Sequence, residues 1–292
     1  MIRHRVPDGA IDMPLEKYLR RAWPMWPERV TRSIVKARDV KRDGRRLGAQ
    51  DTVRSGDELT IYVPDLWRPK PPEIVYEDGR LLAVVKPQGL PVDVDRDAIG
   101  ADTLLERIRL VHPAARLCHR LDAQAGGLVL AATDDGVYEG MLEIFRAHAL
   151  EKRYLALAKG GFSKPSETLR AYLQKDASRA LVHVRHRPGA GAKAIETRYK
   201  VIDERIDVAR VELEPITGRT HQLRAHMADI GHPLVGDDLY GDRELNRALG
   251  GSLRLWCLSL TILKNGPLPE YVGMRFTGPE PAWWTASGGN GI

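Results

Sequence analysis

The chain has 292 residues, 43% of them hydrophobic and 29% charged, and a formal net charge of +6. That is material for one large domain and one small one. No apolar run approaches the roughly 18 residues of a membrane span, and Met1-Ile2-Arg3-His4-Arg5 leads into no apolar leader, so a cytoplasmic protein without membrane contact is expected. Two cysteines, Cys118 and Cys257, are too few for a disulfide framework or a thiolate metal site.

Charge is concentrated at the front: residues 1–64 hold 14 Lys and Arg against 9 Asp and Glu, which points to an anionic partner for that segment. Met13 to Arg21 and Pro27 to Lys36 read as helices, with Pro14 and Pro27 in first-turn positions and Leu15/Leu19 and Val30/Ile34 spaced four apart. Asp43-Gly44 signals a hairpin, and Leu59 to Val63 a strand. Residues 1–64 resemble the small S-four-type RNA-binding domain, named after a ribosomal protein. The resemblance implies a basic face of Arg29, Arg32, Lys36, Arg38, Lys41 and Arg42 against phosphates. Residues 65–73, flanked by Pro64 and containing Pro69, Pro71 and Pro72, read as a stiff linker without helix.

Residues 74–285 read as a second domain and 286–292 as a flexible, Gly-rich tail. Ile74 to Arg80 and Leu81 to Val85 are strand patterns, the second stopped by Lys86-Pro87, with both residues in structural roles beneath a loop. Thr103-Leu104-Leu105-Glu106 is a capping box that opens a helix ending before Pro113. At Cys118-His119-Arg120-Leu121-Asp122, Gly126-Gly127 admit the chain to the apolar run Leu128 to Ala132, so Asp122 stands at the mouth of a buried strand. A carboxylate there stays ionised only if a cation or several donors replace the lost water.

Asp134 to His148 reads as a helix with Met141, Leu142, Ile144 and Phe145 inward. The period then changes to two: Tyr154 to Ala158, Leu181 to Arg187, Ile195 to Ile202 and Ile206 to Glu214 read as strands, giving a mixed α+β class with a mainly antiparallel sheet. A helix from about Thr220 to Gly231 has Leu223, Met227 and Ile230 on its core face, which leaves Arg224 at the border of the core in need of an anion.

His119-Arg120-Leu121-Asp122 with Gly127-Leu128, the segment Lys152-Arg153-Tyr154, and Thr217 to His226 continued by Gly231 to Gly241 resemble, in order, the motifs of the RluA-type RNA pseudouridine synthases. The resemblance implies an isomerase that converts uridine to pseudouridine without a cofactor. Its Asp122 would be the catalytic carboxylate, Arg224 its ion-pair partner and Tyr154 the aromatic that meets the base. RNA would be the partner, ribosomal RNA the commoner target among relatives with this domain order, and the chain a monomer.

A base inside an RNA helix is out of reach, so the uridine must be flipped out. Arg120 could take the vacated space or hold a phosphate, His119 supports the loop or touches substrate, Leu223 borders the site, and Arg219 beside a helix N-terminus suits a backbone phosphate. His221 and His226, five apart with no third ligand, make no metal site. Asp122 could act as nucleophile or as base. Where the family usually has Thr-Ser, this chain has Ala125-Gly126, which leaves a non-catalytic RNA-binding homologue as the alternative.

Overall fold

A computed structural model describes residues 1–8, 12–93, 101–176, 181–263 and 266–286. The expected tail, residues 286–292, lies outside them but for the backbone of residue 286. Two compact units emerge: residues 1–72 with 89–115, and residues 73–88 with 116–292. The sequence boundaries differ, since 89–115 groups with the first unit.

In the first unit, strands β1 (Ile2–Arg5), β2 (Met13–Pro14), β3 (Val40–Arg42), β4 (Arg45–Leu47), β5 (Thr52–Val53) and β6 (Glu58–Ile61) accompany helices α1 (Leu15–Ala22), α2 (Glu28–Ala37) and α3 (Leu104–Arg109). Pro14 and Pro27 cap α1 and α2 instead of entering their first turns. Leu15, Leu19, Val30 and Ile34 are buried in one core with Tyr18, Trp23 and Trp26. The sheet runs β1-β6-β3-β4, and Asp43-Gly44 turns the β3/β4 hairpin with both residues at positive φ. The linker expectation needs correcting at its start: Asp65–Trp67 forms a 3-10 turn, held because the Trp26 indole N–H donates to the Trp67 carbonyl at 2.7 Å. Thr103 caps α3 as its capping box requires, accepting from the Glu106 N–H at 3.2 Å.

The second unit is built on a long sheet. Its strands are β7 (Glu73–Glu77), β8 (Leu81–Lys86), β9 (Arg116–Leu117), β10 (Gly126–Ala132), β11 (Leu150–Lys159), β12 (Ser166–Asp176), β13 (Leu181–Arg185), β14 (Lys193–Glu204), β15 (Val208–Pro215), β16 (Leu255–Ile262) and β17 (Arg275–Thr277). Among the described residues their order is β13-β12-β14-β15-β11-β16-β10-β8-β7, with β17 on β16 and β9 on β10. Among the described residues only the β10/β16 pair is parallel, so the mixed, mainly antiparallel α+β architecture stands. Helices α4 (Asp135–Arg146), α5 (Gln222–Asp229), α6 (Arg243–Leu249) and α7 (Ala282–Ala286) complete the unit. β10 is fully buried along its length, the reason its sequence is an unbroken apolar run and not an alternation. Strand β12 and helix α6 were not anticipated; β12 alternates Leu169, Ala171 and Leu173 inward with polar residues outward. No helix among the described residues is long and apolar enough to cross a membrane.

Candidate active site

The site is assembled where β10 begins. Gly127 has φ +108°, and a Cβ there would fall 2.2 Å from the Cys257 carbonyl oxygen, so the loop can dock on β16 only through glycine. The preceding loop is pinned at several points. The Cys118 N–H donates to the Leu130 carbonyl at 2.9 Å, the Leu130 N–H donates to Nε2 of His119 at 3.0 Å, and the Ala125 N–H closes a turn onto the Asp122 carbonyl at 3.1 Å. Lys86, wholly buried at the end of β8, donates from Nζ to the carbonyls of Ala123 (2.9 Å) and Pro87 (3.0 Å). Burial drives its ammonium down to about 7, against the attraction of the nearby Asp122 carboxylate.

Arg224 on α5 is 3% exposed and reaches Asp122, 24% exposed, with Nη1 3.6 Å from Oδ2. The expected pair therefore exists, but it is not the tightest contact of that guanidinium. Asp237, fully buried, takes it in a bidentate fork, Nε to Oδ2 and Nη2 to Oδ1 both at 2.7 Å, and Asp238 accepts from Nη2 at 2.9 Å. Burial disfavours the Asp237 carboxylate, yet Arg224 and the N–H groups of Tyr240 and Leu239 hold it below the usual carboxylate range. Asp237 thus fixes the fork and leaves one edge of the guanidinium for Asp122. Asp237 was not singled out from sequence, although the pair Asp237-Asp238 close after an arginine helix was the available signal.

Tyr154 sits on β11 at a register shift between Arg153 and Tyr154, opposite Cys257 on one side and Leu213 on the other. It is buried, and burial, its bond to the Cys257 thiol and the Asp122 charge push its phenol well above the ordinary tyrosine range. It is therefore a neutral hydroxyl that can donate near Asp122. Burial likewise raises the Cys257 thiol to about 12, which makes it inert as a nucleophile.

Other expected site residues fall in different places. His119, expected to support the loop or touch substrate, is committed to the fold: it accepts from Leu130, stacks on Phe145 at 4.6 Å, and burial lowers its imidazole to about 3. Leu223 is buried in the same core cluster as Tyr154. Arg120 and Arg219 are exposed, and the Arg219 N–H donates to Oε1 of Gln222 at 3.1 Å. His221 and His226 diverge to Tyr240 and Thr197. Among the described residues no group of three or more His, Cys, Asp or Glu could hold a metal ion. On the first unit Arg29, Lys36 and Arg38 are exposed, and Lys41 lies over Tyr62. Arg32 shares Glu28 and Glu16, and Arg42 is half-buried against Asp57 at 2.7 Å, a structural pair and not a free phosphate contact.

Residues 80–229 match the RNA pseudouridylate synthase family. The chain belongs to it. A ribosomal large subunit pseudouridine synthase C from Vibrio vulnificus (strain CMCP6) is 31% identical over 278 residues, spanning 88% of this chain and 86% of the relative. Its namesake from Escherichia coli (strain K12) is 30% identical over 256 residues, spanning 80% and 78%. Among solved structures, human RNA pseudouridylate synthase domain containing 1 superposes with a TM-score of 0.63 at 26% identity, covering 73% of this chain and 85% of that one. The chain is an RNA pseudouridine synthase of the RluA type, an isomerase that pseudouridylates RNA.

Proposed function

We propose that Asp122 is the catalytic carboxylate, that Tyr154 receives the flipped uracil, and that the substrate is a uridine of ribosomal RNA in the cytoplasm. The observation that carries this is the Arg224 guanidinium: anchored by Asp237, it presents one edge to Asp122, whose charge is felt at the Tyr154 phenol. The names of the relatives supply the ribosomal target. The ion pair keeps Asp122 oriented, while the surrounding apolar strand excludes water from the reacting ribose.

The reaction breaks the bond from N1 of uracil to C1′ of ribose, turns the base and joins C5 to C1′. N1 gains a proton and C5 releases one. Asp122 acts either on C1′ as a nucleophile or on the ribose as a base; both roles need one carboxylate within reach of the sugar. The first unit, in this scheme, is the S-four-type domain that grips neighbouring RNA through Arg29, Lys36 and Arg38. The pairing of Asp122 with Arg224 supports catalysis over a binding-only homologue.

The test is Asp122→Asn with RNA carrying tritium at uracil C5. Tritium release should stop while RNA affinity stays within a few fold, and mapping pseudouridines in a deletion strain should show one ribosomal position lost. Continued turnover by the variant would remove Asp122 from the chemistry; an unchanged ribosomal map would remove that substrate.

A further inference from the structure

Lys152 lies two residues before Tyr154 on β11 and reaches toward the turn that opens α5. A Cβ built on Gly218 would stand 3.2 Å from its ammonium nitrogen, which places the amine against the Thr217–Thr220 turn. Lys152 is half-buried, and burial pulls its ammonium below the ordinary lysine range. Among the described residues it has neither a carboxylate within ion-pair distance nor a hydrogen-bond acceptor.

The titratable groups whose fields meet at Lys152 are His119, His148 and the Cys257 thiol, and Arg219 acts on His148 in turn. None of these is an acid ionised at neutral pH. An ammonium partly withdrawn from water without a counter-charge destabilises the free protein, and it is matched only when an anion arrives. Arg219 and His148 are exposed on the same side, and His148 is held at positive φ where the chain turns from α4 into β11. A lysine point charge, an arginine fork and a rim imidazole together suit a singly charged, oxygen-rich ligand.

We propose that Lys152 and Arg219, with His148 at the rim, hold one phosphodiester of the RNA strand beside the nucleotide delivered to Tyr154 and Asp122. This site deepens the RNA function proposed above and depends on it. It sets the register of the strand, so that a flipped base enters at a fixed distance from the gripped phosphate.

The experiment measures binding of a short oligouridylate to the full chain across a salt series. Lys152→Met should weaken binding about tenfold and make the dependence of log affinity on log salt shallower by about 0.7, the share of one phosphate contact on a single strand. Its thermal midpoint should stay level or rise, because an unmatched ammonium has been removed; a purely structural lysine would instead lower it. Oligouridylate with neutral methylphosphonate linkages should bind the wild-type chain less well and lose little further in the variant. Millimolar inorganic phosphate at constant ionic strength should leave the wild-type isotherm in place; displacement would give the site to the free anion.

Arg219→Ala, at an exposed position, repeats the test should Lys152→Met fail to fold. Unchanged affinity and slope in either folded variant overturn the phosphate site. Tritium release by the wild-type chain is read separately, so the isomerase can stand while this site falls.

Discussion

Gly126 and Trp256 occupy one space between them. They face each other across the parallel β10/β16 pair, and a Cβ on Gly126 would lie 2.3 Å from Cζ3 of the indole. The indole is itself anchored, its N–H donating to the Pro279 carbonyl at 2.9 Å. The position where this chain departs from the usual family pattern is therefore closed over by a large side chain, and the loop carrying Asp122 is packed and not hollow.

Restoring serine at position 126 alone should overpack the site. Gly126→Ser is expected to cost about 1–3 kcal/mol in urea unfolding. Trp256→Leu opens room for the new side chain, so the double variant should be more stable than the sum of the two single losses predicts, by about 1 kcal/mol. Strict additivity would mean that the two residues do not compete for the same volume.

Asp237 and Asp122 share one guanidinium but should respond differently. Removing the buried bidentate partner by Asp237→Asn leaves Arg224 only the more exposed Asp238 and Asp122, which should cost up to about 3 kcal/mol in denaturant unfolding. Asp122→Asn removes a looser, partly exposed contact at 3.6 Å and should change stability by no more than about 1 kcal/mol while abolishing tritium release. Equal stability losses in the two variants would show that Asp237 holds the arginine no more firmly than Asp122 does.

Much of this was legible because it is written in short-range chemistry. The apolar run after Gly127, the Thr103 cap and the Asp43-Gly44 hairpin each follow from local rules, and each is present, whereas the one-sided face expected of α5 is not, since Gln222 to Met227 are all buried, Arg224 included. Strand β12 was missed although Leu169, Ala171 and Leu173 alternate, because Arg170, Gln174 and Lys175 make its outward face as polar as a loop. Missing Asp237 as the tightest partner of Arg224 had another cause. Which of two carboxylates takes the fork is decided by tertiary approach, and nothing in the spacing of residues 224, 237 and 238 distinguishes them.

Acid should loosen the fold through histidines held neutral. Burial lowers His119 to about 3 and His4 and His226 to about 4, while the same side chains in an unfolded chain titrate near 6.5. Between those values the unfolded state binds more protons, so stability increases with pH and is lost as pH falls from about 6.5 toward 4. Each histidine contributes a slope of at most about 1.4 kcal/mol per pH unit. His119→Gln, which keeps a hydrogen-bond acceptor for Leu130, should flatten the urea midpoint between pH 6.5 and 4. A variant that tracks the wild-type curve throughout would show that His119 is protonated in the folded state.

The basic face of the first unit is better tested by point changes than by truncation. The N–H groups of Ala101 and Asp102 both donate to the Ala22 carbonyl, at 3.1 and 3.0 Å, so deleting residues 1–64 would strip partners from a segment that remains in the chain. Arg29→Ala combined with Lys36→Ala removes two exposed charges from α2 without touching the buried Val30, Ile34 and Val35. RNA binding should weaken and its salt slope should become shallower by about 1.4, two contacts at roughly 0.7 each, with the unfolding midpoint unmoved. Arg42→Ala should do the reverse, lowering stability by breaking the half-buried pair with Asp57 and leaving the slope nearly unchanged. A slope unaffected by the α2 double variant would move the RNA-binding face of this unit away from that helix.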